Sequence, residues 1–280
     1  MAAMLRRIML KIRMLRIFTA CALVAVLTSV YAQDSADLID TYRRNFVRSS
    51  LSTKLELLKE ASAYENVDMG PLYDTALQFI LSNAALLSSD SMLRDMAVLS
   101  VTMVRKYKYA PAAENLWAVF ELYKDNLVRV PVLQTLAEVG VGKKEILEKL
   151  NKFLDTQIST YRTGTRIDAT VVDAAVTALG KLGDSSSFPF LFAAYTASIN
   201  KQVTDRAITA MASLKGDYAS FLAEVIRAHP PADKAAALDA GLRVEALPAE
   251  KRAELAETAL SIGVRSEEHT SELQSRITIS

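Results

Sequence analysis

Val171 to Asp184 reads VVDAAVTALGKLGD. Its apolar residues recur at steps of three and four, the spacing that gathers side chains on one face of an α-helix. Ala175, Ala178, Leu179 and Leu182 share that face. Two of the four are small, which lets another helix approach closely, and two are large enough to fill the seam. The same order of small, small, apolar, apolar recurs on both sides of the segment. It stands at Ala97, Ser100, Val101, Val104 and at Val132, Thr135, Leu136, Val139. It returns at Ala207, Ala210, Met211, Leu214 and, more weakly, at Ala237, Ala240, Gly241, Val244. Counted on Val101, Leu136, Leu179, Met211 and Gly241, the copies are 35, 43, 32 and 30 residues apart. A period in this range signals stacked supersecondary units, each unable to bury its apolar face alone.

Proline placement agrees. Pro71, Pro111, Pro189, Pro231 and Pro248 each fall just before or inside the start of an apolar-periodic run, where a helix needs no N–H from them. No stretch alternates long enough for a sheet. The helices read alternately as first and second members of pairs. First helices are expected at about 34–48, 71–87, 111–123, 144–158, 187–198, 218–228 and 248–262. Second helices are expected at about 51–64, 91–106, 126–139, 169–182, 201–214 and 232–244. Pro131 conflicts with this scheme, because a proline inside a helix costs about 3 kcal/mol. The third second-helix is therefore expected to begin near Arg129 or to kink.

Followed by Phe188-Pro189-Phe190-Leu191, the segment Val171–Asp184 resembles the second helix and turn of a HEAT repeat leading into the next repeat. The family's Val-Arg pair is matched at Val128-Arg129 and loosely at Leu93-Arg94, and lost at Val171-Val172 and Val203-Thr204. The resemblance is strong over 168–230 and fair back to 90; beyond those bounds only periodicity supports it. It implies an all-α fold, a right-handed α-solenoid of about six helix pairs across 33–264, whose second helices line a concave side. Such an architecture carries no function by itself.

The ends read differently. Arg6, Arg7, Lys11, Arg13 and Arg16 precede an apolar run from Ile17 to Val30, and Val30-Tyr31-Ala32 then offers small or aliphatic residues at the positions that a signal peptidase reads. This order marks 1–32 as a secretory signal peptide, too short in its apolar run to span a bilayer. Met14 serves equally well as a start. Cys21 has too little apolar sequence before it for lipidation. At the other end, Arg265–Ser275, RSEEHTSELQS, resembles the translation of a common sequencing adapter. Residues 265–280 are accordingly expected to be a non-native, irregular tail, with the natural chain continuing past Val264.

Without the two ends, 26 of the 33 basic and 29 of the 32 acidic residues remain, a net charge of −3. That is not the footprint of a nucleic-acid binder. Cys21 leaves with the signal and His269 with the tail, so no cysteine nucleophile or thiolate zinc site is available. His229, the one remaining histidine, precedes Pro230-Pro231 at a helix end, where it suits the helix dipole better than a triad. No glycine-rich phosphate loop, nucleophile elbow or His-Glu-x-x-His occurs. A cell-envelope enzyme on an α-superhelix, acting on peptidoglycan through carboxylates, is the alternative reading. It lacks the Glu-Ser pair that opens the lytic transglycosylase site.

The expectation is thus an exported scaffold, periplasmic or in the cell envelope, binding protein partners with no cofactor, metal, nucleic acid or stable membrane span. Candidate contact residues point outward from the second helices: Asp95, Gln134, Asp173, Thr177, Asp205 and Thr209. Together they form an acidic to polar surface suited to a polar or cationic segment. Ser159–Asp168, STYRTGTRID, reads as an inserted loop that explains the 43-residue step, and offers Tyr161, Arg162 and Arg166. Arg105 to Tyr109 reads as a basic helix end, and Trp117, Phe120 and Tyr123 as core. Mass measurement on exported material should give a chain beginning at Gln33; retention of Ile17–Val30 would refute processing after Ala32.

Overall fold

The computed structural model describes residues 35–86, 91–244 and 247–278, with side chains described as far as Gly263. The signal segment, its cleavage position and Cys21 lie outside the described residues. The fold is all-α. Helices occupy α1 (35–48), α2 (Leu51–Ala61), α3 (Gly70–Ser82), α4 (Ser91–Tyr107), α5 (Ala113–Leu122), α6 (Asn126–Val139) and α7 (Lys144–Arg162). They continue as α8 (Ala169–Leu182), α9 (Phe188–Ala197), α10 (Lys201–Ser213), α11 (Tyr218–Ala228), α12 (Pro231–Arg243) and α13 (Ala249–Thr278). Among the described residues the only β-type pairing is one isolated bridge, Asp184 with Lys215.

Local chemistry explains the starts. Ser50, Asp125, Asp168 and Asn200 cap α2, α6, α8 and α10, each side chain accepting a bond from a backbone N–H of the first turn. Gly183 closes α8 in the left-handed region, at φ 71°. Pro131 does not delay α6, which begins at Asn126 on its Asp125 cap. The carbonyl left without a donor four residues before Pro131 belongs to Leu127, an exposed residue, so the proline costs less than it would in a buried turn.

The even helices follow one another in space: α2 on α4, α4 on α6, α6 on α8, α8 on α10. Odd helices also neighbour each other, α3 on α5 and α7 on α9, whereas α5 and α7 touch only lightly. The small-residue pattern lies in these interfaces. Ala175, Ala178, Ala207 and Ala210 are buried, as are Ala97, Ser100, Val132 and Thr135. A close approach of α8 to α10 falls at a residue outside the pattern. A Cβ added to Gly180 would stand 2.8 Å from the Ala210 Cβ and 2.9 Å from its Cα. Ser213 Oγ donates to the Gly180 carbonyl across the same contact (2.9 Å), and the Lys215 N–H donates to the Gly183 carbonyl (2.8 Å). These bonds lock successive turns together.

Four expectations need correction. The segment 159–168 is not mainly an insertion: α7 runs 19 residues, to Arg162, because Leu154 and Ile158 continue its buried stripe. The 43-residue step is therefore chiefly a longer helix. The helix expected over 71–87 stops at Ser82, with a short 3-10 turn at Ala84–Leu86. The even succession is not continued by α12, which packs chiefly on α11 and α13 and touches α9. There Tyr195 Oη donates to Asp239. Finally, the polar tail is helical through Thr278, not irregular. It contains no glycine or proline after Gly263 and many good helix formers.

One buried charge anchors the N-terminal corner. Lys54 of α2 is 3% exposed. Its ammonium donates to the carbonyls of Phe46, Val47 (3.1 Å) and Ser49 (2.7 Å) at the end of α1, and sits 5.0 Å from the ring centres of both Phe46 and Phe79. One cation at the negative end of a helix thus serves three carbonyls, of which that of Phe46 also accepts the Ser49 N–H. Burial pulls its pKa below the ordinary lysine value.

Gly180→Ala and Gly241→Ala form a matched test of the seam. Alanine gains about 1 kcal/mol of helix propensity over glycine at either place. At Gly180 the new methyl meets the α10 backbone, and overpacking of about 1–3 kcal/mol outweighs that gain. At Gly241 the nearest atom, 2.7 Å away, is Leu255 Cδ1, the end of a flexible side chain. Gly180→Ala should lower the thermal midpoint and Gly241→Ala should leave it unchanged or raise it; equal effects would refute the close contact.

Candidate functional site

The residues expected to form a binding surface are placed outward but are not assembled into one site. Asp95, Gln134, Asp205 and Thr209 are exposed, and Asp173 and Thr177 half-buried. The hydroxyls of Thr177 and Thr209 donate to carbonyls one turn earlier on their own helices. Among the described residues, no hydrogen bond or ion pair joins two of the nine candidates on different helices. The acidic surface is instead matched by bases of the same protein. Asp173 accepts from Gln202 (3.0 Å) and Arg206 (3.3 Å) of α10. Arg105 of α4 donates to Glu138 (2.8 Å) and Gln134 (3.2 Å) of α6, and Lys181 of α8 reaches Glu138 at 4.0 Å. The even helices thus present rungs of internal charge pairing, which leaves less acidic surface for a cationic partner than the sequence suggests.

Tyr161 and Arg162 lie on the last turn of α7, and Arg166 follows in the connection to α8. Arg162 donates to Thr196 Oγ1 of α9 (3.0 Å) and so ties two odd helices together. Arg166 is exposed and makes no ion pair among the described residues. The basic helix end is consumed in packing: Lys106 donates to the Ser62 carbonyl and Tyr107 to the Tyr64 carbonyl. His229 caps α11 and lies 3.5 Å from Asp233. No group of acids, histidines or cysteines able to hold a metal ion occurs among the described residues, nor any helix long and apolar enough to cross a membrane.

Concave surface lies on either side of α7. Toward α9, a cavity of about 660 Å³ is lined by Leu147, Asn151 and Phe190, with charged residues around them. Asn151 is buried, and its Oδ1 has no hydrogen-bond partner among the described residues. Toward α5, where the odd helices part, a second cleft measures about 680 Å³. Its floor is aromatic. Trp117 packs on Phe120 with ring centres 5.1 Å apart, and Phe153 of α7 meets Phe120 edge to face at 4.9 Å. Trp117, Phe120 and Tyr123 are buried, as their spacing suggested, yet the first two also face this cleft.

Arg129 enters the same cleft from α6. Its guanidinium carbon lies 4.3 Å from the Phe120 ring centre and 5.4 Å from that of Phe153. Its Nε is buried without a partner, and none of its guanidinium N–H groups makes a hydrogen bond among the described residues. Burial pulls its pKa down, opposed by the Asp168 carboxylate. The side chain also stands near the start of α6, the end of a helix that favours negative charge. Val128-Arg129 was visible in the sequence, but nothing in it showed rings from two other helices closing on the guanidinium.

No protein-family model matches the chain, and no curated protein matches it in sequence.

The charge pairing between even helices is exposed enough to be weak. A double-mutant cycle on Arg105 and Glu138, truncating each to alanine, should give a coupling of roughly 0.2–1 kcal/mol that shrinks as salt rises. A coupling several-fold larger and insensitive to salt would show a desolvated pair.

Proposed function

We propose that this chain is an exported, non-catalytic scaffold of the periplasm or cell envelope that binds other proteins through the surfaces of a HEAT-like helical repeat. In this reading the helix pairs form a right-handed α-solenoid, about six pairs across 33–264. The observation that carries it is the layered succession of α2, α4, α6, α8 and α10, each even helix packed on the next, with a small-residue contact between α8 and α10. Units stacked in this way bury one face in the next unit and leave long surfaces open for recognition. The basic-apolar-small order of residues 1–32 supports export.

The carboxyl groups whose pKa departs from the ordinary value give no support to an acid–base enzyme. Asp168 is held low by a bond from Asn126, and Asp184 and Asp217 by bonds from Ser186 and Ser220. A carboxylic acid serving as proton donor near neutral pH needs a shift in the other direction.

The full chain immobilised and exposed to envelope extract should retain a defined protein, which in purified form then binds in solution with saturable stoichiometry. Turnover of a peptidoglycan preparation by the purified chain, with no saturable protein partner, would overturn the scaffold reading in favour of an enzyme.

A further inference from the structure

We infer that the cleft between α5 and α7 is a docking site for an extended acidic peptide segment, in which an apolar side chain and a carboxylate stand two residues apart. The inference rests on the scaffold reading and gives its partner a chemistry. Four basic residues line the cleft, Lys124, Arg129, Lys149 and Lys152, against two acidic ones, Glu114 and Glu121. Two of the bases are already engaged: Lys149 pairs with Glu114, and Lys124 donates to the Glu121 carbonyl (3.0 Å). Arg129 and Lys152 are left with no hydrogen-bond acceptor among the described residues.

Arg129 is the more informative of the two. A guanidinium that is half-desolvated, placed at the unfavourable end of a helix and without an acceptor is costly where it stands. Stacking on Phe120 and Phe153 offsets part of that cost and holds the planar group in a fixed orientation. A carboxylate arriving over the rings would supply the missing acceptor in the paired geometry that a guanidinium favours. The aromatic floor at Trp117 and Phe153 would take an apolar side chain next to it.

The dimensions choose among anions. A cleft of about 680 Å³ accepts a few side chains. A free inorganic anion would use Arg129 and leave the aromatic floor wet. A nucleic acid needs a long track of cations, and only four bases line this cleft, one of them paired with Glu114. A lipid surface needs protruding apolar residues, and none of the exposed large ones lines this cleft: Val47, Met92, Leu127, Val141, Leu242 and Leu260 all lie elsewhere. In an extended peptide, alternate side chains point the same way and recur about every 7 Å. An apolar residue and a carboxylate at positions i and i+2 therefore reach the floor and the two bases together.

Trp117 lines the cleft and is the only tryptophan in the chain, so its emission reports occupancy directly. The probe is acetyl-Phe-Ser-Glu-Phe-Ser-Glu-amide, titrated against the full chain, with the glutamine-for-glutamate peptide as its control. The acidic peptide should change Trp117 emission saturably and bind at least tenfold more tightly than the control, and more tightly still at low salt. Arg129→Gln should remove that preference. Lys152→Glu, on the exposed rim, should weaken the acidic peptide at least tenfold and improve binding of the lysine-for-glutamate peptide, a gain that misfolding cannot imitate. Equal binding of acidic and glutamine peptides, or an identical emission change with sodium acetate or phosphate at the same concentration, would overturn the proposal. So would a partner from envelope extract that binds Arg129→Gln/Lys152→Glu with undiminished affinity, and that result would leave the scaffold reading intact.

Discussion

Everything in this fold depends on how closely neighbouring second helices can approach. Between α8 and α10 the helices approach so closely at Gly180 and Ala210 that a methyl added to Gly180 would meet both the Cβ and the Cα of Ala210. Helices packed that tightly must be registered along their axes, because ridges on one fit grooves on the other. The serine bond from Ser213 to Gly180 and the bridge from Lys215 to Gly183 extend that registration into the turns. The large residues of the pattern, Leu136, Leu179 and Met211, then fill what the small ones leave open. The buried side chains form one hydrophobic core, and no cysteine follows Cys21 to cross-link it.

Polar groups inside this stack are handled in two ways. Lys54 is satisfied completely: each of its ammonium protons finds a carbonyl at the end of α1, and two phenyl rings cover it. Arg129 is also covered by two rings but finds no acceptor among the described residues. Similar surroundings with opposite hydrogen-bond outcomes separate a structural cation from one that is poised for something else. The general reason is that a desolvated donor without a partner costs far more than a satisfied one contributes.

Reading along a single helix recovers whatever that helix decides alone. The seam positions Ala175, Ala178, Ala207 and Ala210 are of this kind, whereas α6 begins on its Asp125 cap and not near Arg129, where Pro131 pointed. Boundaries failed where packing overrode composition. Ser159-Thr160-Tyr161 has the chemistry of a loop, but Ile158 and the neighbouring α9 hold the last turn of α7 helical. The charge pairing of Asp173 with Arg206 could not be read, because the partners are 33 residues apart and depend on the rotation of two helices. The α5–α7 cleft was hidden for the same reason. Trp117, Phe120, Arg129 and Phe153 come from three helices, and each alone looks like ordinary core.

Stiffness along the stack is uneven. From α6 to α10 the even helices interlock, and α7 is tied to α9 through Arg162 and Thr196. Between α5 and α7 the odd layer is thin, joined at its surface mainly by Lys149 with Glu114 and by Phe120 against Phe153. Deformation concentrates where packing is sparse, since fewer buried contacts resist it. In the odd layer this gap, like that between α9 and α11, has few contacts to resist a change in helix spacing. Widening the gap draws Phe153 away from Arg129, and narrowing it closes the ring over the guanidinium. The spacing of α5 and α7 and the shape of the aromatic cleft between them are thus one coordinate.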